Sequence, residues 1–190
     1  MKEIKFLVLL FTVFIAINAC KKEKDTNNPA IADAAIDKTI EAKYPTLINF
    51  IDINIDGEAI QDFEFVISHG DNDPDNHTVD LRVYDSKYQF LTKMIDDAIV
   101  INKVEMNSKI EPALTTWGGN TILLYHKFNM YLYGSTDIGD QYFAFRKRNT
   151  AGGYYYGWMK VNISNNGEKI EIIDYALNTV ADTPIKAGEK

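Results

Sequence analysis

Beyond Pro45, apolar and polar residues alternate with a period of two, the spacing that puts successive side chains on opposite faces of a strand. "INFIDINID" sets Ile51, Ile53 and Ile55 on one face and Asp52, Asn54 and Asp56 on the other. "DFEFVIS" aligns Phe63, Phe65 and Ile67, and "TVDLRVY" aligns Val79, Leu81 and Val83. "AIVINKVEM", "TILLYHKFNMYLY" and "QYFAFRK" continue the series. Gly57, "HGDNDPDN", "WGGN", "GSTDIGD", "TAGG" and "SNNG" punctuate it with turn formers. Residues 30–42, "AIADAAIDKTIEA", leave open a short helical turn or an irregular lead-in, and no segment carries an amphipathic stripe of helix length. About eight short strands without intervening helices predict an all-β fold with antiparallel pairing, here a jelly-roll-like β-sandwich forming a single domain over residues 31–190.

The last hairpin is the most sharply specified. Asn166 and Gly167 both accept positive φ, so the chain folds back there with a loop of two or four residues. Either loop puts Met159, Val161 and Ile163 against Ile170 and Ile172 on one face. The other face then carries Tyr154, Tyr156, Trp158, Lys160 and Asn162 beside Lys169, Glu171 and Tyr175. Tyr142 and Arg146 join it if "QYFAFRK" pairs alongside, because Phe143 and Phe145 point the other way. Tyr and Trp rings on a polar face suit stacking on sugars, with their polar tips for orientation. A covering loop or N-terminal segment suits the same pattern.

Composition adds that the chain can build a core: 46% of its 190 residues are hydrophobic and 12% aromatic. The first nineteen residues are a separate object. Lys2 and Lys5 precede an apolar run from Phe6 to Ile17, broken only by Thr12, and a membrane span needs about 20 residues, so the run reads as a secretory signal. "INAC" resembles the lipobox of bacterial lipoproteins, which implies cleavage before Cys20, a diacylglycerol on its thiol and an acylated new amino terminus. Two or more acyl chains anchor stably where one does not. Cys20 is the only cysteine, so lipidation leaves no thiol for disulfides, metal binding or catalysis. Lys2, Glu3 and Lys5 leave with the leader, so the mature chain keeps 18 basic and 26 acidic residues, a net charge of −8. That balance argues against nucleic acid as a partner. Residues 20–30 comprise the lipidated cysteine and a tether, "KKEKDTNNP", able to reach roughly 30 Å. Its charges resemble the export signals of surface lipoproteins in Bacteroidetes-type bacteria, which implies an outer-membrane, surface-exposed location.

"YYYGWMKVNI", "IEIIDYALNT" and "TPIKAGE" resemble the closing module of a family of secreted bacterial β-sandwich proteins, seen among exosortase-sorted and Bacteroidetes exported proteins. The family's upstream "DxDGDGxxDF" element is similar to "DINIDGEAIQDF", Asp52 to Phe63, with Ile55 in place of a glycine and two residues inserted before Asp62. The likeness covers most of residues 48–188. It implies a β-sandwich and says nothing of activity, because the family is largely uncharacterised.

Candidate chemistry is sparse. Asp52, Asn54 and Asp56 before Gly57, with Asp62 further on, supply the first oxygens of a calcium loop, but Phe63 stands where the closing acid belongs. A polar strand edge entering a hairpin explains the same letters. "SHGDNDPDNHTVD" offers His69, Asp71, Asp73, Asp75 and His77 as metal ligands, and its turn-forming composition favours a hydrated hairpin loop instead. Nucleotide, zinc-protease and hydrolase motifs are missing, and Ser68 and His69, adjacent on a strand, point to opposite faces. The expectation is a lipid-anchored, non-catalytic module binding a glycan or cell-surface polymer through Tyr154, Tyr156 and Trp158, with Tyr175 and Trp117 as further contacts. Calcium on Asp52, Asn54, Asp56 and Asp62 would stiffen a loop. Two alternatives stand beside it: an adhesion or assembly subunit burying the aromatic face against an envelope protein, and a small polysaccharide hydrolase or lyase using two acids.

Overall fold

A computed structural model describes residues 31–33, 38–42, 48–58, 60–70, 73–128, 131–134 and 138–190. The expected signal peptide, Cys20 and the expected tether lie outside these described residues. The first half of the chain supplies β1 (Ile31–Asp33), β2 (Lys38–Glu41), β3 (Ile48–Ile53), β4 (Phe63–Gly70), β5 (Asp73–Val83), β6 (Tyr88–Ile95), β7 (Ala98–Ile101) and β8 (Lys103–Val104). The second supplies β9 (Lys109–Ile110), β10 (Trp117–Gly118), β11 (Thr121–Phe128), β12 (Tyr131–Gly134), β13 (Gly139–Arg148), β14 (Tyr154–Ser164), β15 (Lys169–Asn178) and β16 (Ile185–Lys186). Among the described residues there is no α-helix, only a 3-10 turn at Asn165–Gly167.

The fold is all-β and mostly antiparallel. Ten strands form a nearly closed, barrel-like sheet in the order β1-β15-β14-β13-β6-β7-β11-β5-β4-β3, in which β7 and β11 run parallel. β2 also pairs with β15 and comes up beside β3. Side chains bridge this seam: Asn49 Nδ2 donates to the Glu41 carbonyl at 2.8 Å and Lys38 Nζ to the Asp52 carbonyl at 2.9 Å. Residues 30–42 therefore contribute two strands where the sequence left a helical turn open, and "TILLYHKFNMYLY" divides into the β11 and β12 pair.

The inward set follows the alternation. Ile53, Phe63, Phe65, Ile67, Val79 and Leu81 are fully buried. Phe63 meets Phe90 edge-on at 5.2 Å and Phe145 at 6.5 Å, so rings from β4, β6 and β13 share the interior. Each such side chain contributes about 1.5–3 kcal/mol on burial. Strand β6, which the sequence reading did not assign, sits between β13 and β7 and brings Tyr88 and Phe90 inside.

The hairpin between β14 and β15 forms as expected, with Ser164 opposite Lys169 around a four-residue loop in which Asn166 has φ 54° and Gly167 φ 90°. Its faces hold as far as Val161 opposite Ile172. Lys160 then pairs with Asp174, so Ile173 is an unpaired bulge and every later residue changes face. Tyr175 accordingly sits opposite Met159 in the main core, 3% exposed, with its hydroxyl donating to the Ile55 carbonyl at 3.4 Å. The expectation that it joins the polar aromatic face is corrected by this one-residue shift.

Candidate functional site

The outer face of β13, β14 and β15 carries a second apolar cluster. Trp158 lies directly between Ala144 on β13 and Ala176 on β15, whose short side chains leave room for the indole. A strap from Thr183 onward crosses this face. Asn178, fully buried, launches it by donating to the carbonyls of Thr183 and Pro184 at 3.1 and 3.3 Å and accepting from the Val180 amide at 2.9 Å. Asp182 ties to Tyr154 twice: its amide donates to the Tyr154 carbonyl at 2.7 Å, and its Oδ1 accepts from the Tyr154 amide at 3.0 Å. Strand β16 then pairs with β9, and Trp158 Nε1 donates to the Glu189 carbonyl at 2.9 Å.

Tyr156 and Trp158 are consequently 1% exposed. The strap and the segment around β9 shield the face on which both were expected to meet a ligand, and their rings are core. Burial pushes the Tyr156 phenol upward, against the nearby Arg146 charge.

What stays partly open is the margin of this cluster. Arg146 on β13 places its guanidinium 3.9 Å from the centroid of Tyr154 and 4.7 Å from that of Trp117, both half-buried. Gln89 Oε1 accepts from Arg146 Nε at 2.8 Å and from Nη2 at 2.6 Å. The pairing of β10 with β6 brings Trp117 here, and its Nε1 donates to the Leu114 carbonyl at 2.6 Å. The structure thus joins Trp117 and Tyr154 of the expected contacts around a cation, with buried Tyr156 beneath them, its ring centroid 6.1 Å from that of Trp117, while Trp158 lies covered in the same cluster and Tyr175 belongs to the main core. Arg146 was placed on this face by alternation. Gln89 was not, although Tyr88 and Phe90 on either side of it carry the period-two signal.

The acidic loop between β3 and β4 is engaged by the chain's own donors. Asp52 Oδ1 accepts from Gln61 Nε2 at 2.5 Å, and Asn54 Oδ1 from the Gly57 amide at 2.7 Å. Asp56 accepts from the Glu58 amide at 2.8 Å, from the Tyr88 hydroxyl at 3.0 Å and from the ammonium of Lys147. Burial opposes ionisation of Asp56, yet these donors outweigh it and hold the carboxyl below its ordinary value, while Lys147 is raised. Asp62, fully buried, accepts from the Ile55 amide at 2.5 Å, leaves Oδ1 without a partner, and is raised by burial. Of the four expected calcium ligands, Asp56 is paired with the Lys147 ammonium, and among the described residues no three His, Cys, Asp or Glu side chains gather to hold a metal ion. Compared with protein-family models, with curated proteins and with solved structures, the chain matches none.

Proposed function

We propose that this chain is a lipid-anchored, non-catalytic binding module of the cell envelope, held in the outer membrane through Cys20 and facing the cell surface. Its ligand is a glycan or cell-surface polymer that carries carboxylates. The observation that supports this most is the Arg146 guanidinium set between the partly open rings of Trp117 and Tyr154 and held by Gln89. Rings offer apolar faces to sugar CH groups, and a held guanidinium suits a carboxylate. The lipobox, the tether and the likeness of "YYYGWMKVNI" and "TPIKAGE" to secreted Bacteroidetes-type modules support the envelope location. On the same reading the barrel-like sheet is flattened into a jelly-roll-like sandwich, in keeping with the contact of Phe63 with Phe90 and Phe145 across the interior.

The test is a screen of acidic and neutral glycans, with and without EDTA, against the wild type and the variants Trp117→Ala, Arg146→Ala and Tyr154→Ala. Retention of acidic glycans, weakened tenfold or more by each substitution, is the expected result. Wild-type protein that retains none overturns the reading. A second reading, an adhesion or assembly subunit, is favoured by Ile48 and Phe50, 61% and 56% exposed on β3 at the end of the sheet. β2 already closes against that edge, so a protein partner would pack on the exposed side chains rather than add a strand. Glycan-negative protein that co-purifies with an envelope protein supports it.

A further inference from the structure

The alternation that buries Ile67 on β4 and Val79 on β5 also turns His69 and His77 inward, at the end of the barrel interior near the β4–β5 turn. The two imidazoles are cross-strand partners, 7% and 2% exposed, with ring centroids 5.3 Å apart. Tyr125 of β11 stacks on His77 at 5.4 Å, and the turn after β14 closes over them. Gly167 lies so close that a Cβ there would fall 2.6 Å from the Tyr125 ring and 3.1 Å from His77 Nε2.

Both ring nitrogens of His69 and Nδ1 of His77 are buried with no hydrogen-bond partner. Folded proteins rarely leave one such atom unsatisfied, and here three meet in one place. His77 Nε2 faces the Asn166 carbonyl, so that nitrogen carries the proton and Nδ1 keeps a free lone pair. A carbonyl fixing the far nitrogen is the usual outer support of a metal-binding histidine.

We propose that His69 and His77 form a binding site for a monovalent, soft metal ion, namely Cu(I), through His77 Nδ1 and one ring nitrogen of His69. Zinc takes three or four protein ligands, and among the described residues no third His, Cys, Asp or Glu side chain joins these two to complete such a set. Cu(I) is content with two neutral nitrogen donors, and a single positive charge is less costly to bury than two. Two lone pairs are donated, no proton is displaced, and no electron is transferred.

The experiment uses the full chain with Cys20→Ser, which removes the lone thiol as a competing ligand. Under anaerobic conditions Cu(I) is titrated against the chelator bicinchoninate. Uptake of one equivalent, lowered at least a hundredfold in affinity by His69→Phe and by His77→Phe, is expected. Ring-nitrogen NMR on the protein with all three histidines intact keeps the test independent of whether those variants fold: Cu(I) should shift His69 and His77 and leave His126 unmoved. Absence of uptake, uptake retained by the double variant, or a shift confined to His126 overturns the proposal.

Discussion

Replacing Trp158 by Ala removes an indole that is 1% exposed and takes away the donor to the Glu189 carbonyl. Trp→Ala in a core costs about 3–5 kcal/mol through lost transfer energy and the cavity left behind. The upper part of that range applies here. The residues on either side are Ala144 and Ala176, whose methyl groups cannot fill the space, and the unpaired Glu189 carbonyl loses about another 1 kcal/mol of hydrogen bonding. The total is then about 5–6 kcal/mol, and for a domain of this size each kcal/mol lowers Tm by about 2–4 °C, so a drop of roughly 10–24 °C follows. Urea unfolding followed by circular dichroism measures the free energy, with Trp117→Ala as the comparison; Trp117 is half-buried and should cost under about 2 kcal/mol. A loss below about 1 kcal/mol for Trp158→Ala would refute the claim that the strap makes this ring part of the core.

Gly157→Ala should destabilise by about 1–3 kcal/mol or more, because the new Cβ would lie 2.5 Å from Phe145 and 2.6 Å from the Ala176 carbonyl, which cannot move aside; thermal melts measure it. Asp56 is held below its unfolded value of 3.8, so its stabilisation is complete above that pH and is lost as the pH falls through the folded value. Asp62, raised by burial, runs the other way: its contribution weakens as the pH rises from 3.8 through its folded value. Lys147→Met should therefore flatten the acid-side loss attributable to Asp56, seen in denaturation midpoints between about pH 5 and 2. EDTA should leave Tm within about 1 °C, because the loop acids already accept from Lys147, Gln61 and the Ile55 amide; a larger fall would indicate a bound cation that stabilises the fold.

Alternation made much of the barrel legible: Ile53, Phe63, Phe65, Val79, Leu81, Phe143 and Phe145 all lie inside as their spacing implies. The strand Tyr88–Ile95 was missed, and with it Gln89, the residue that holds Arg146. Face assignment failed at Tyr175 because a single bulged residue, Ile173, leaves no mark in a period-two pattern. Whether an outer face is wet or dry was not local information either. Trp158 and Tyr154 share a face, yet the strap covers one and leaves the other half-open, a distinction made by Asn178, Asp182 and the pairing of β16 with β9. The loop "SHGDNDPDNHTVD" was read by composition, whereas the positions of His69 two residues beyond Ile67 and of His77 two before Val79 already place both rings inward.

The pairing of β1 and β2 with β15 bears on how the chain reaches this state. Ile31 lies opposite Asn178 and Ile40 opposite Ile170, so the strands made first wait for those made almost last. Non-local pairing of this kind slows folding, since the entropy of closing the long loop is lost before the contact forms. β3, β4 and β5 pair with near neighbours and can assemble early. A chain emerging amino terminus first therefore has no partner for β1 or β2 until β15 is available. Closure of the seam, through Lys38 and Asn49, is then a late folding event.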